Sequence, residues 1–472
     1  MYINGKWITT DTLFDVHNPA TGEKVDSVYF VGEKETEDAI KAAEKAFKEW
    51  SSLAAEQRSS YLWKIVEKLK EQREAFAQII TKEMGKTIHH ARQEVASSIA
   101  FFQWYAEEAR RIYGDIVPAS AANKRIQVIK QPVGVVGAIT PWNFPLSMAA
   151  RKLGPALATG CTIVLKPSKE APLSSIALFK IFDEIDLPEG VANLVMGSSG
   201  PIANTLMKSK AVKKISFTGS TEVGKVLIGQ SAETVKRVSM ELGGHAPFIV
   251  FDDADLELAV DGLIKSKFGS NGQQCVCPNR IYVQEKIYDE FSEKLNKRVR
   301  NIQVGNGLDE GNDMGPLINA EALEKVHEQV ENAVGLGASI LNGGRKLSDG
   351  QYAQGYFYDP TVLANVTDDM LIVKEETFGP VIPLIKFQTE EEVIQRANDI
   401  EYGLASYFYT TDLSRNYRVS EQLDYGMVGV NDALPFAVQA PFGGVKESGM
   451  GREGGKYGLE DYLDIKMISV QI

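Results

Sequence analysis

VGVVGAITPWNFPLSMAARKLGPALATGCTIVLKPSKEAP, residues 133–172, decides how this chain folds. It reads as strand, helix, strand, helix. The β-rich run VGVVGAIT (133–140) precedes a helix from Pro145, and TIVLKP (162–167) precedes a helix from Leu173. The alternation continues through NLVMG (193–197), a helix from Pro201, KKISFTG (213–219) and a helix from Thr221. Repeated units of this size predict a parallel sheet covered by helices on both faces. Strands of such a sheet end, at their carboxyl edge, in loops that bind a ligand.

Outward from this block the grammar changes. The first ~110 residues read as mostly helical, with Ala39, Ile40, Ala43, Phe47 and Trp50 at helical spacing and similar patterns over Tyr61–Ile80 and Glu94–Arg111. From about residue 243 a second α/β unit begins, with APFIVF (246–251), RIYVQE (280–285) and PVIPLIKF (380–387) as strands. RIQVIKQ (125–131) and YLDIKMISVQI (462–472) alternate strictly and fit neither unit. Solitary strands of this kind pair with another sheet, often in another subunit, so a homo-oligomer is expected.

The bulk numbers agree. A chain of 472 residues exceeds what one core usually fills, so two or three domains are expected. A net charge of -12 without a Lys/Arg block argues against nucleic acid as a partner. The longest apolar stretch, Val133–Trp142, is glycine-broken and too short to cross a bilayer. Three cysteines make no disulfide framework, and MYINGKWITTDT shows no signal pattern, so a cytoplasmic, reducing home is expected.

Three residues stand out chemically. Cys275, in SNGQQCVCPN, follows a helical stretch (Leu256–Phe268) and lies in a polar Gly/Asn/Gln loop. The plain alternative is an inert buried thiol; the loop favours one that is exposed and activated. Glu241 lies between Met240 and Leu242 before a glycine pair, and its plain alternative is a structural ion pair. A carboxylate in such apolar surroundings has a raised pKa, which suits a general base. Asn143, two residues before Pro145, sits at or near a helix N-terminus. It is either an ordinary N-cap or an amide that donates to a developing oxyanion. The turn FTGSTEVG (217–224) lacks strict G-x-G-x-x-G spacing, and the strand-end lysines Lys166 and Lys169 are individually weak signals.

Together PWNFP, LKPSKEAP, FTGSTEVG, MELGG, GQQC, EETFGP (375–380) and PFGGVKESGMGRE (441–453) resemble the aldehyde dehydrogenase superfamily in order and spacing, from NPATGE (18–23) to the last strand. The resemblance implies an NAD(P)-dependent oxidation of an aldehyde to a carboxylate through a cysteine thioester. It matches Cys275 to the nucleophile, Glu241 to the general base and Asn143 to the oxyanion-holding amide. Lys166 and Glu376 match residues that hold the cofactor's ribose hydroxyls, Phe378 a contact to the nicotinamide ribose, and Gly219–Ser220 the pyrophosphate turn. Trp142 and Ser168 fall in the same cofactor set. The implied fold is a Rossmann-like cofactor-binding domain over 1–118 and 132–242, an α/β catalytic domain over 243–441 and a β-strand oligomerisation arm over 119–131 and 455–472. The solitary strands point to a homodimer or homotetramer, the short apolar stretch to no membrane contact, and His89–His90, adjacent and so facing apart on a helix, to no metal.

Two finer expectations rest on single positions. Lys169 stands where NAD-preferring relatives commonly carry glutamate, so the balance leans to NADP over NAD, with Glu170 as a counterweight. VKRVSMELGG, CVCPN, GMVGVN (426–431) and FGGVKESGMGREGGKYG (442–458) resemble the succinate-semialdehyde dehydrogenase branch, where Arg151 matches a carboxylate-binding arginine. Its plain alternative is a salt bridge in the helix layer. Gly269 stands where that branch has a second arginine, and Phe436–Ala437 where it has a serine. Phe436 favours an apolar or aromatic substrate, and the chain's start also resembles lactaldehyde and glycolaldehyde dehydrogenases. Cys277 matches the second member of a redox pair in that branch, or is a packed bystander thiol. Two other classes remain open. A cysteine hydrolase would need a histidine partner, and of the five histidines only His245 lies near Glu241 in sequence. A non-catalytic binding protein of the same fold would have lost Asn143, Glu241 or Cys275.

Overall fold

The computed structural model describes residues 1–472. VVGAI and TIVLK have no polar alternation, so both faces of these strands must be covered, and every residue of β1 (Val135–Ile139) and β2 (Thr162–Lys166) is buried. With β3 (Ala192–Leu194), β4 (Val212–Thr218) and β5 (Arg237–Glu241) they form a parallel sheet in the order β3-β2-β1-β4-β5. That order reverses at β1, which opens a crevice at the carboxyl edge between β1 and β4.

Helices α1 (Glu33–Ser52), α2 (Ala55–Glu71), α3 (Arg73–Met84) and α4 (Ile88–Glu108) precede this sheet. Helices α5 (Pro145–Thr159), α6 (Leu173–Glu184), α7 (Ser199–Lys208) and α8 (Thr221–Ser231) make its crossovers. Pro145 occupies the first turn of α5, where no backbone donor is needed, and Gly160 ends it at φ +95°. A helix α9 (Leu256–Phe268) joins the first two strands of a second sheet, β6 (Ala246–Val250), β7 (Pro278–Gln284), β8 (Thr361–Ala364), β9 (Val381–Phe387), β10 (Ala405–Tyr409) and β11 (Met427–Val430). Its parallel order is β8-β9-β7-β6-β10-β11, with Ser339–Asn342 antiparallel at the β8 edge.

Two expectations need correction. The first thirty residues are not helical: Leu13–His17 and Lys24–Tyr29 form a hairpin, and Tyr2–Ile3 adds to the parallel sheet beside β3. LFDVH and KVDSVY carry the period of two, and between them the Asn18 side chain accepts the Ala20 amide at 2.9 Å to make the turn. The two solitary segments also find each other. Lys124–Pro132 and Leu463–Gln471 pair antiparallel from Pro132↔Leu463 to Lys124↔Gln471, and Asp115–Val117 adds a third strand. The outer edge of Leu463–Gln471 stays unpaired, with Ile465 74% and Met467 64% exposed.

Candidate active site

A cleft of about 550 Å³ lies between the two parallel sheets, and it gathers Trp142, Asn143, Lys166, Ser168, Gly219, Ser220, Cys275, Glu376 and Phe378. The polar groups come from strand ends. Lys166 closes β2, and its Nζ donates to Ser199 Oγ at 2.7 Å. Burial, with Lys169 nearby, lowers its pKa to about 8. Ser220 caps α8 by accepting the Val223 amide, which turns that helix N-terminus into the cleft. Phe378 holds φ +54°, a strained geometry for an aromatic residue, and its ring meets Trp142 edge-on at 5.6 Å. Lys169 lies outside the cleft. Its ammonium is 3.8 Å from Glu170 and 5.5 Å from the Phe14 ring.

The thiol sits on an irregular loop. After α9 ends, Ser270, Asn271 and Gly272 all take left-handed backbone, at φ +49°, +60° and +76°. Two non-glycine residues there cost of order 1–3 kcal/mol each, so the surroundings must enforce them. Asn271 does so: its side chain accepts the Gly315 amide at 2.7 Å and donates to the Pro316 carbonyl at 2.8 Å. Gln273 Oε1 accepts the Ile318 amide at 3.0 Å. Gly244 passes so close that an added Cβ would lie 2.3 Å from the Cys275 carbonyl oxygen.

Asn143 is not the N-cap, a place taken by Phe144. Its Nδ2 donates instead to the Gln273 carbonyl at 3.0 Å, tying the amide to the thiol's loop with one N–H to spare. The Cys275 backbone amide makes no hydrogen bond within the protein. Both groups thus keep a donor that the fold does not use. Cys275 is half-buried and lines the cleft, so the thiol is reachable as its loop predicts. Burial nonetheless pushes it up to about 12, and Glu376, Glu241 and Glu453 add repulsion against the pull of Arg151. The polar loop residues turn into the fold rather than toward the sulfur, so the thiol is neutral until a base takes its proton.

Glu241 ends β5 and is buried. Burial first, then Glu453, raises its pKa well above the carboxylate range, against Lys152, Arg151 and Arg452. Glu376 accepts the Gly244 amide at 3.1 Å, and burial raises it to about 7. His245 is buried with Nε2 2.9 Å from the Val373 carbonyl, and burial keeps it neutral. It therefore serves the fold and offers the thiol no hydrolase partner. Cys277 is fully buried, with Sγ among the carbonyls of Lys267, Ser266 and Pro278.

Arg151 and Phe436 share a second cavity of about 240 Å³ with Phe101 and Phe442. The guanidinium stacks between those two phenyl rings, at 4.7 and 4.3 Å, and only 11% of the side chain is exposed. Its one ionic contact is Glu453 at 3.5 Å, and both Nε and Nη1 lack a hydrogen-bond partner. Glu453 answers chiefly to Lys152, whose Nζ lies 2.9 Å away and also reaches Thr218 and Ser216. Sequence reading missed Lys152 and Glu453. Lysine one residue past Arg151 on a fully buried helix face was the available signal.

A cleft that holds a thiol, the Asn143 amide and the buried Glu376 carboxylate, with Glu241 near enough to repel the thiolate, suits acyl chemistry on sulfur. The chain belongs to the aldehyde dehydrogenase family, whose model matches residues 7–468. It is 50% identical over 473 residues to a glutarate-semialdehyde dehydrogenase of Pseudomonas putida, covering 100% of this chain and 97% of the relative. It is 48% identical to an NADP(+)-named succinate-semialdehyde dehydrogenase of Escherichia coli, covering 99% and 97%. A crystal structure of succinate-semialdehyde dehydrogenase from Burkholderia pseudomallei superposes with a TM-score of 0.98 at 47% identity, covering 100% and 97%.

Proposed function

We propose that the protein oxidises a short aldehyde carrying a terminal carboxylate, succinate semialdehyde first, with NADP as the favoured cofactor. Arg151 carries this reading. The nearly buried guanidinium has one anionic neighbour, Glu453 at 3.5 Å, which is held more closely by Lys152 at 2.9 Å. In its mostly apolar cavity its Nε and Nη1 make no close hydrogen bond, which leaves it able to take a substrate carboxylate. The names of the Pseudomonas and Escherichia relatives fit that class of substrate. Phe436 and Phe442 then line the methylene chain, which answers the aromatic-substrate alternative.

The cleft fits a dinucleotide. A capped helix N-terminus, the buried Lys166 ammonium and the orphaned Thr377 hydroxyl face a trough with Trp142 and Phe378 as apolar walls. Lys166 and Glu376 would hold ribose hydroxyls there, and the bound cofactor supplies a hydride acceptor. Cys275 gives its proton to Glu241 and attacks the aldehyde carbon, and the Asn143 amide and Cys275 N–H hold the oxyanion. Loss of hydride from that carbon leaves the acyl group on sulfur. Glu241 releases the thiol's proton to solvent and, ionised again, takes a proton from the water that attacks the thioester. That proton passes to the departing thiolate, and the new acid loses its own proton to solvent, which frees the carboxylate and the thiol. Copies associate as a homodimer or homotetramer through the open edge of Leu463–Gln471 in this reading.

The test is kcat/KM for succinate semialdehyde, its five-carbon homologue and butanal, each with NADP and with NAD. We expect the semialdehydes to exceed butanal by ~100-fold, roughly 3 kcal/mol, and Arg151→Ala to erase the gap. A ratio near one moves the substrate to a neutral or hydroxylated aldehyde. A preference for NADP that persists unchanged in Lys169→Glu removes Lys169 from the cofactor assignment.

A further inference from the structure

The short connection between α3 and α4 touches both halves of the site without lining either cavity. Glu83, one residue before the end of α3, is fully buried and accepts the backbone amides of Leu173 and Ser174, the latter at 3.1 Å. Those amides open α6, directly after the loop that carries Lys166, Ser168 and Lys169. Glu94, on the first turns of α4, accepts the amides of Leu146 and Ser147 at 2.9 and 3.1 Å. Those open α5, directly after Asn143 and Phe144. Between the two glutamates Lys86, also fully buried, pairs with Glu94 Oε2 at 2.6 Å and lies 3.7 Å over the Phe144 ring.

Neither α5 nor α6 caps itself: Phe144 and Pro172 have no side-chain acceptor for the first turn. A carboxylate from another element takes over that task, where the helix dipole favours it. The connection is itself fixed to the second sheet's loops. Gly85 adopts φ +88° against Pro19 and Pro316, and a Cβ on Gly315 would lie 2.0 Å from the Gly85 carbonyl oxygen. Ile88 donates to the Gly307 carbonyl at 2.7 Å. Gly315 and Pro316 are the residues that hold Asn271 in the thiol's loop.

We infer that Glu94 and Glu83 are separate positioning residues, Glu94 setting the oxyanion amide of Asn143 against Cys275 and Glu83 setting the cofactor loop at Lys166. The inference rests on the roles proposed above for Asn143, Cys275 and Lys166. A capping carboxylate that served only stability would weaken both functions together. Two separate clamps weaken one each.

Two readouts separate them. One is the cofactor-free hydrolysis of p-nitrophenyl acetate, in which Cys275 displaces p-nitrophenolate and water then cleaves the acetyl thioester. The other is the Kd for NADPH by fluorescence titration. We expect Glu94→Ala to lose at least tenfold more ester hydrolysis than Glu83→Ala. We expect Glu83→Ala to lose at least fivefold more NADPH affinity than Glu94→Ala. Should the alanine variants fail to fold, Glu94→Asp and Glu83→Asp, which keep the charge but shorten the reach to the helix amides, replace them with the same expected order of losses. The double variant Lys86→Met/Glu94→Gln serves as the rescue. That double variant removes a buried charge pair yet keeps an acceptor for both amides, so it should recover most of the ester hydrolysis. Equal losses in both readouts, or the reverse pattern, overturn the inference. Ester hydrolysis that survives in Cys275→Ala instead overturns the proposed function, which keeps the two failures apart.

Discussion

The carboxyl edge of the first sheet and the loop that carries the thiol are built on opposite principles. At the first sheet each edge segment follows a regular strand and precedes a regular helix: Ser220 caps its own helix and Lys166 ends its own strand, while Glu94 and Glu83 supply the caps that α5 and α6 lack. The thiol's loop runs through three left-handed residues; beside local bonds such as Gln273 N–H to the Ser270 carbonyl and the Gln274 side-chain amide to the Gly269 carbonyl, it is held from outside by Gly315, Pro316, Ile318 and Gly244. Where an edge residue is held by its own element, as Ser220 is, that element restores its geometry after a change. An irregular loop passes every outside disturbance to the sulfur.

Three measurements sharpen or break that contrast. The largest effect concerns the thiol's environment. With its pKa pushed up to about 12, the thiolate fraction grows roughly tenfold per pH unit below that value. Alkylation of the cofactor-free protein by iodoacetamide should therefore climb from pH 7 to 10 by about a thousandfold, without levelling. A plateau near pH 8 would mean that the loop activates the sulfur after all. Next in size, Gly244→Ala places a Cβ against the Cys275 carbonyl, whereas Gly219→Ala meets only the tip of the Phe217 ring. The first should lower kcat/KM by on the order of 100-fold and the second by under tenfold. Similar losses would erase the distinction between the regions. Smallest, Asn271→Ala removes two buried hydrogen bonds and leaves alanine in left-handed backbone. Urea unfolding should show a loss of about 2–4 kcal/mol, with Cys275 still present but kcat reduced. A loss below 1 kcal/mol would show that the loop holds itself.

The same contrast explains what was legible in the sequence. Strand–helix alternation from 133 to 224 was plain because both faces of β1 and β2 are buried and their helices start at Pro145 and Thr221. Asn143, Lys166 and Glu376 were legible only as members of motifs whose order carries the information. Glu83, Glu94, Lys152 and Glu453 were not, because each acts on a residue far along the chain: Glu453 meets Lys152, 301 positions earlier. Charged residues inside helical patterns look like solvated faces until the partner is known. The pairing of 124–132 with 463–471 was missed likewise, since alternation shows that a strand needs a neighbour and not which one. The raised pKa of Cys275 was not legible, because composition records polar neighbours without their direction.

Gly449–Met450, the strand that pairs with Met240–Glu241, sits in the same late segment as Glu453. Synthesis runs from the amino end, so a growing polypeptide contains Cys275 long before the strand that covers Glu241 is made. A ribosome-bound intermediate that has passed residue 275 but not 449 carries the sulfur with Glu241 on an open sheet edge. On the roles proposed for these two residues, catalytic competence arrives late in translation.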